Sequence, residues 1–271
     1  MDSFTIQYGA TSDTGLKRRH NEDRFCADPV LGLYLVCDGM GGHRAGEIAS
    51  AKAVETIHDH IAATALHADY PLVGVYRPEF SGPTNRLASA VRAANLTIYQ
   101  ESLRQPCYAG MGTTTASILI SGQVASIAHV GDSRVYLIRD GTVQALTCDH
   151  SLISEQVRVG LLNEDDANQA SHRHVLTRAV GVGATVDVEL AEVPLLSGDL
   201  LLLCTDGLSC VPPAQLLRVS RTCTDPQTLS DRLIAASNAA GGDDNITAVV
   251  VAVIKSKTGI WARLQSHLFN I

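Results

Sequence analysis

Long apolar runs are missing from this chain. The longest wholly apolar stretches, 200–204 and 248–254, fall far short of the roughly 20 residues a spanning helix needs. Cys-x-x-Cys pairs are also missing. The 7 cysteines are odd in number and irregular in spacing, which argues against a disulfide framework or a thiolate zinc site and for free thiols in a reducing compartment. Positive charge is in deficit, with 21 Lys and Arg against 28 Asp and Glu and a net charge of −7. Such a chain repels phosphate backbones at long range, so no nucleic-acid partner is expected. The N-terminal MDSFTIQYGA has no basic region followed by an apolar stretch, so a signal peptide is not expected and a cytoplasmic address is. The chain contains no G-x-x-x-x-G-K-[ST], hence no P-loop. Gly39-Met40-Gly41 opens like a dinucleotide fingerprint, but Arg44 stands where the third Gly belongs. No Cys sits in a Gly/Arg loop, so a cysteinyl-phosphate route lacks its parts.

What remains is an ordinary globular composition, 45% hydrophobic over 271 residues, enough to bury a core unaided. Strand patterns occupy 4–10, 33–37, 113–120, 123–130, 133–139, 186–193, 200–205 and 246–254. Ser121-Gly122 and Gly131-Asp132 are connections too short for a parallel crossover, so these neighbours are expected to be antiparallel. Apolar residues recur every three or four positions in 45–66 and 85–102, which predicts two amphipathic helices. A third should start at Asp225-Pro226 and stop at Gly241-Gly242. Residues 69–83 read as a surface loop, and 255–271 as a tail, a short amphipathic helix packed on the domain. Mixed strands and helices in this order predict an α+β fold.

The chemistry lies in where the acids fall. Asp38, Asp206 and Asp132 each follow an apolar strand, Asp243-Asp244-Asn245 precedes one, and Asn21-Glu22-Asp23 precedes another short apolar stretch. Any single Asp-Gly pair is most simply a turn; five such places beside core strands are not. Converging buried carboxylates need a divalent cation, and hard oxygen ligands suit Mg²⁺ or Mn²⁺. Two such ions can activate a water and clamp a phosphoryl group. Arg18, just before Asn21, is a candidate phosphate ligand, although taken alone it reads more simply as surface charge.

In order, the motifs are Arg18-x-x-Asn21-Glu22-Asp23, Asp38-Gly39-Met40-Gly41-Gly42-His43, Gly112-Thr113-Thr114, Val130-Gly131-Asp132-Ser133-Arg134, Thr205-Asp206-Gly207-Leu208 and Gly242-Asp243-Asp244-Asn245-Ile246-Thr247. Together they resemble the metal-dependent Ser/Thr protein phosphatases of type 2C, the PPM family, in a bacterial form. The resemblance covers about residues 4–254 and implies a four-layer αββα sandwich of two antiparallel sheets flanked by helices, with the metal centre at one end. It implies a catalytic domain over 1–254, with a substrate-shaping flap at about 149–176, followed by the tail. It implies two core Mg²⁺ or Mn²⁺ ions, with Asp38 bridging them, the Gly39 carbonyl on one, and Asp206 and Asp244 on the other. Glu22 and Asp23 would act from the opposite side. Asp132, sharing Asp206, would bind a third, weaker ion. Arg18 would hold the substrate phosphate, and a metal-bridging hydroxide would attack phosphorus directly. Phosphorylated proteins made by Ser/Thr kinases would be the partners, with no membrane and nothing demanding more than a monomer.

One departure concerns the general acid. Animal relatives carry His directly after the Asp-Gly pair, where this chain has Met40, which cannot donate a proton. His43 and a metal-bound water are the two candidates for that role. Within the flap, His150, His172, Arg173 and His174 read as a solvated polar segment rather than a further metal site. A phosphoesterase for a small metabolite and an inactive binding module are the competing readings. The second predicts lost ligands, and every matched metal position is acidic.

Overall fold

The computed structural model describes residues 4–41, 45–67, 69–163 and 175–255. One sheet holds five strands in the order β1 (Phe4–Asp13), β11 (Ile246–Lys255), β10 (Leu200–Cys204), β7 (Arg134–Arg139) and β8 (Thr142–Ala145). The other runs β2 (Asp23–Asp28), β3 (Leu33–Met40), β5 (Thr115–Ser121), β6 (Val124–Val130) and β9 (Glu189–Pro194), with β4 (Gly112–Thr113) paired to the end of β3. Every strand pair is antiparallel.

Side-chain alternation makes the four layers. In β3, Tyr34 and Val36 face the other sheet and meet Leu201 and Leu203 of β10 and Val249, Val251 and Val253 of β11. Leu33, Leu35 and Cys37 face outward onto α1 (Ala45–Leu66) and α2 (Gly82–Arg104). On the far side Leu202, Cys204 and Val250 pack on α4 (Pro213–Arg221) and α5 (Pro226–Ala239). A strand buried on both faces must be apolar throughout, which is why these three read as continuous runs. No helix among the described residues is long and apolar enough to cross a membrane.

The expected elements are present with shifted edges. The strand expected over 113–120 is two, broken at Thr114, whose backbone N–H and hydroxyl both turn to Asp38. Residues 186–188 precede β9 rather than belong to it. The first long loop ends sooner, because Ser81 caps α2 and Pro83 sits in its first turn. β2, β8, α4 and the short α3 (Leu152–Arg158) carry too few periods to be read from sequence. α5 begins at its Asp225 cap as expected and stops before Gly241 and Gly242, both at positive φ. The expected tail helix lies outside the described residues.

Candidate metal centre

The antiparallel register gathers the acids at one end. β10 delivers Asp206 just past its last residue, and β11, running the other way beside it, delivers Asp244 just before its first. The β6–β7 turn places Asp132 at the same end. In the facing sheet, Asp23 at the start of β2 lies directly opposite Asp38 near the end of β3. Like charges directly opposed across strands are destabilising unless a counter-charge intervenes.

Asp23 is the most constrained of the set, only 1% exposed. Its Oδ2 accepts from Thr205 Oγ1 at 2.8 Å and Thr247 Oγ1 at 2.7 Å, both reaching across from the other sheet. Its Oδ1 is buried with no hydrogen-bond partner among the described residues. Burial pushes this carboxyl up to about 7 against the pull of the two hydroxyls, and Asp206 and Asp244 add to the rise. Burial and then Asp23, Asp206, Asp132 and Asp244 raise Asp38 well above the usual carboxylate range. Asp132 is pushed up to about 7 by burial and then Asp206, and Glu22 is raised by burial. The pattern is that of a carboxylate cluster for which the protein cations among the described residues supply little neutralisation.

The backbone around these acids is tightly held. Asp38 N–H donates to Thr114 Oγ1 at 2.9 Å, and its carbonyl accepts from Thr114 N–H at 2.9 Å and Thr113 Oγ1 at 2.8 Å. Gly39 and Gly46 lie so close that a Cβ on Gly39 would collide with the Gly46 carbonyl. The carbonyl of Glu22 accepts from Gly39 N–H and from Ser50 Oγ. Asn245 ties the two halves of the site together. It accepts from Glu22 N–H at 2.8 Å and donates to the carbonyls of Thr14 and His20, each at 2.9 Å.

These residues open onto a cleft of about 860 Å³ lined by Arg18, Glu22, Asp38, Asp132, Asp206 and Asp244. The Gly39 backbone and Met40 also line it, while Asp23 is buried beneath the surface. Arg18 Nη2 lies 2.7 Å from Asp244 Oδ2 at the rim, half exposed. Lys17 forms an exposed pair with Asp243 and stays at the surface. Leu176, Ala179 and Val182 give the cleft an apolar wall. The donors are carboxylates and backbone carbonyls, a hard-oxygen set that fits Mg²⁺ or Mn²⁺.

Eight of the nine residues singled out from sequence therefore come together, and His43 lies outside the described residues. The supporting hydroxyls of Thr205, Thr247, Thr113 and Thr114, and the brace Asn245, were within quoted motifs but carried no role there. For Thr205 and Asn245 the signal was a hydroxyl or amide residue immediately flanking an acid at a strand end; Thr113, Thr114 and Thr247 flank no acid and carried no local signal. One expectation is corrected. His150 is not in a solvated segment but buried, gripping Gly131 and Glu189; His172, Arg173 and His174 lie outside the described residues.

The family model for protein phosphatase 2C matches residues 17–248. The serine/threonine phosphatase stp of Listeria innocua is 34% identical over 244 residues, covering 89% of this chain and 93% of that protein. Protein phosphatase PhpP of Streptococcus pneumoniae is 33% identical over 254 residues, covering 92% of this chain and 98% of that one. The crystal structure of the Mycobacterium tuberculosis serine/threonine phosphatase PstP/Ppp superposes with a TM-score of 0.79 at 34% identity, over 93% of this chain and 99% of that one. A structure of the PstP catalytic domain in complex with 2 manganese ions also gives 0.79, at 33% identity, over 93% of this chain and all of the other. Sequence, fold and a cleft lined by converging carboxylates agree, and the chain belongs to the protein phosphatase 2C family of metal-dependent bacterial serine/threonine phosphatases.

Proposed function

We propose that Asp38, the Gly39 carbonyl, Glu22, Asp23, Asp206 and Asp244 hold the divalent ions of this phosphatase, and that Asp132 with Asp206 holds a further, weaker one. The observation that carries this reading is the Asp23–Asp38 pair, opposed across β2 and β3 with a buried oxygen on Asp23 that has no partner among the described residues. When bound, Mg²⁺ or Mn²⁺ supplies charge neutralisation and a water acidic enough to attack a phosphate ester at neutral pH.

The chain's own residues do the rest. Arg18 exchanges its contact with Asp244 for the substrate phosphate, where a guanidinium can bind two oxygens at once. The Thr205 and Thr247 hydroxyls favour the ionised form of Asp23 against the effect of its burial. The apolar wall of Leu176, Ala179 and Val182 excludes water from one side of the cleft and leaves room for the chain flanking a phosphoserine or phosphothreonine. Phosphorylated proteins are the substrates on this reading. We assign protonation of the leaving oxygen to His43. His43→Ala should then slow hydrolysis of a phosphothreonine peptide and spare p-nitrophenyl phosphate, whose leaving group needs no proton.

Phosphate release from phosphothreonine peptides and from sugar phosphates, at matched concentration in EDTA, Mg²⁺ or Mn²⁺, tests the whole reading. Peptide turnover restored by either ion supports it. Faster turnover of sugar phosphates would replace the protein substrate with a metabolite.

A further inference from the structure

Outside the cleft, one cluster of two buried histidines and a partly exposed glutamate has no part in the site described above. His129 on β6, His150 at the root of the flap and Glu189 on β9 bring one nitrogen or oxygen each within 4.8 Å of one another. His129 and Glu189 are cross-strand partners, and the two imidazoles stack with centroids 4.7 Å apart. A transition metal is the obvious occupant, and the hydrogen bonds argue against it. Gly131 N–H donates to His150 Nδ1 at 3.1 Å, so Nδ1 presents a lone pair and the ring proton sits on Nε2. That proton faces Glu189 Oε2 at 2.9 Å. A metal on Nε2 would need Nδ1 to donate instead, and Nδ1 already faces a donor.

The same bonds form a clamp. His150 N–H donates to the Gly131 carbonyl at 2.7 Å while its ring accepts from the Gly131 amide, so one residue holds both polar groups of Gly131. Gly131 has φ +107°, and a Cβ there would lie 2.6 Å from Thr114 Cγ2. This turn, which only glycine fits, carries Asp132. His150 is itself fixed on three sides. Glu189 orients the ring, the His150 carbonyl accepts from Thr177 N–H at 2.8 Å, and the preceding Asp149 is held by the Arg134 fork at 2.8 and 2.7 Å. Arg178 Nη1 lies 3.4 Å from His150 Nε2 and 3.3 Å from Asp187, closing the cluster toward solvent.

We infer that His150, oriented by Glu189, is a positioning residue that holds the Gly131–Asp132 turn and thereby sets the affinity of the ion site to which Asp132 contributes. The inference rests on the assignment of Asp132 as a ligand of the weaker ion. It also links the root of the flap to that site, since Asp149 and His150 belong to one and grip the other.

Calorimetric Mn²⁺ titration of the full chain tests this without reference to turnover. His150→Phe keeps the ring shape and removes the acceptor for Gly131 N–H, so the weakest Mn²⁺ event should lose about tenfold in affinity while the tighter events stay within twofold. His150→Asn returns an acceptor near the Nδ1 position and should recover most of that loss. Should His150→Phe fail to fold, Glu189→Met and Glu189→Gln carry the same contrast, because Gln keeps an acceptor for Nε2–H and Met does not. Equal weakening by Phe and Asn, or no weakening by Phe and Met, would overturn the clamp. Asp132→Ala separates the two levels. If it leaves every Mn²⁺ event unchanged, the ligand assignment fails; if it removes the weak event while His150→Phe does not weaken it, only the clamp fails.

Discussion

The two ends of the sandwich each bury an aspartate, and they treat it in opposite ways. Asp199, just before β10, is 1% exposed, like Asp23 at the other end of the sandwich. Asp199 receives both arms of Arg139, at 2.7 and 2.6 Å, and the Leu196 N–H at 2.7 Å. Protein groups meet its charge and its lone pairs. Asp23 receives two neutral hydroxyls on one oxygen, nothing on the other among the described residues, and faces Asp38. A carboxylate closed by its own fold is a structural element. One left short of positive charge beside four other acids is a place for an ion from solution.

Asp38→Asn should break this contrast most sharply. Removing one of the two opposed charges should abolish Mn²⁺ binding in calorimetry and phosphopeptide turnover together, while circular dichroism shows the fold intact. Turnover that survives would remove Asp38 from the ligand set. At the other end, Arg139→Met should leave turnover per folded molecule unchanged and cost about 3 kcal/mol in urea unfolding, because it strands Asp199 in the interior. Arg18→Ala should raise KM for the peptide about thirtyfold, or about 2 kcal/mol, with Mn²⁺ affinity nearly unchanged. Equal loss of both would place Arg18 with the ions rather than the phosphate.

Acidity sharpens the comparison further. In the metal-free protein the Asp23 and Asp132 carboxyls titrate near 7, far above their unfolded range. The folded state therefore holds more protons than the unfolded state between about pH 4 and pH 7. Stability from these groups is present below that window and is lost as pH rises through it. The melting temperature without metal should climb by several kelvin from pH 8 to pH 5.5, and saturating Mn²⁺ should reverse the trend. A flat metal-free profile would contradict the picture of carboxyls raised by burial and by one another. The smallest effect expected is from Thr205→Val. It removes one of two hydroxyls on Asp23 and should cost about 1 kcal/mol of stability and a few-fold in Mn²⁺ affinity.

Much of the core was legible because its strands are simple. The run Leu200–Cys204 is apolar at every position, and only a strand covered on both faces needs that. The short elements were not legible, since β8 and α3 offer four and seven residues to any periodicity. Acids at strand ends were visible as motifs, but turns produce the same dipeptides, and the family resemblance supplied their roles. His150 was misread because a histidine in a polar segment looks solvated until the Gly131 turn and β9 are seen to close over it.

The sequence by itself determined the donor chemistry. Carboxylates beside glycines, without thiolates in the pattern, admit hard divalent ions and little else, since ligand type follows from residue type alone. It also marked the continuous apolar runs of β3, β10 and β11 as strands, while the four layers were what the family resemblance implied. Only the tertiary structure decided that Asp23 opposes Asp38, that hydroxyls from one sheet serve an acid of the other, and that His150 holds the turn before Asp132. Those pairings join residues as far as 224 positions apart. No local pattern encodes such a contact, because it exists only once two sheets have packed face to face.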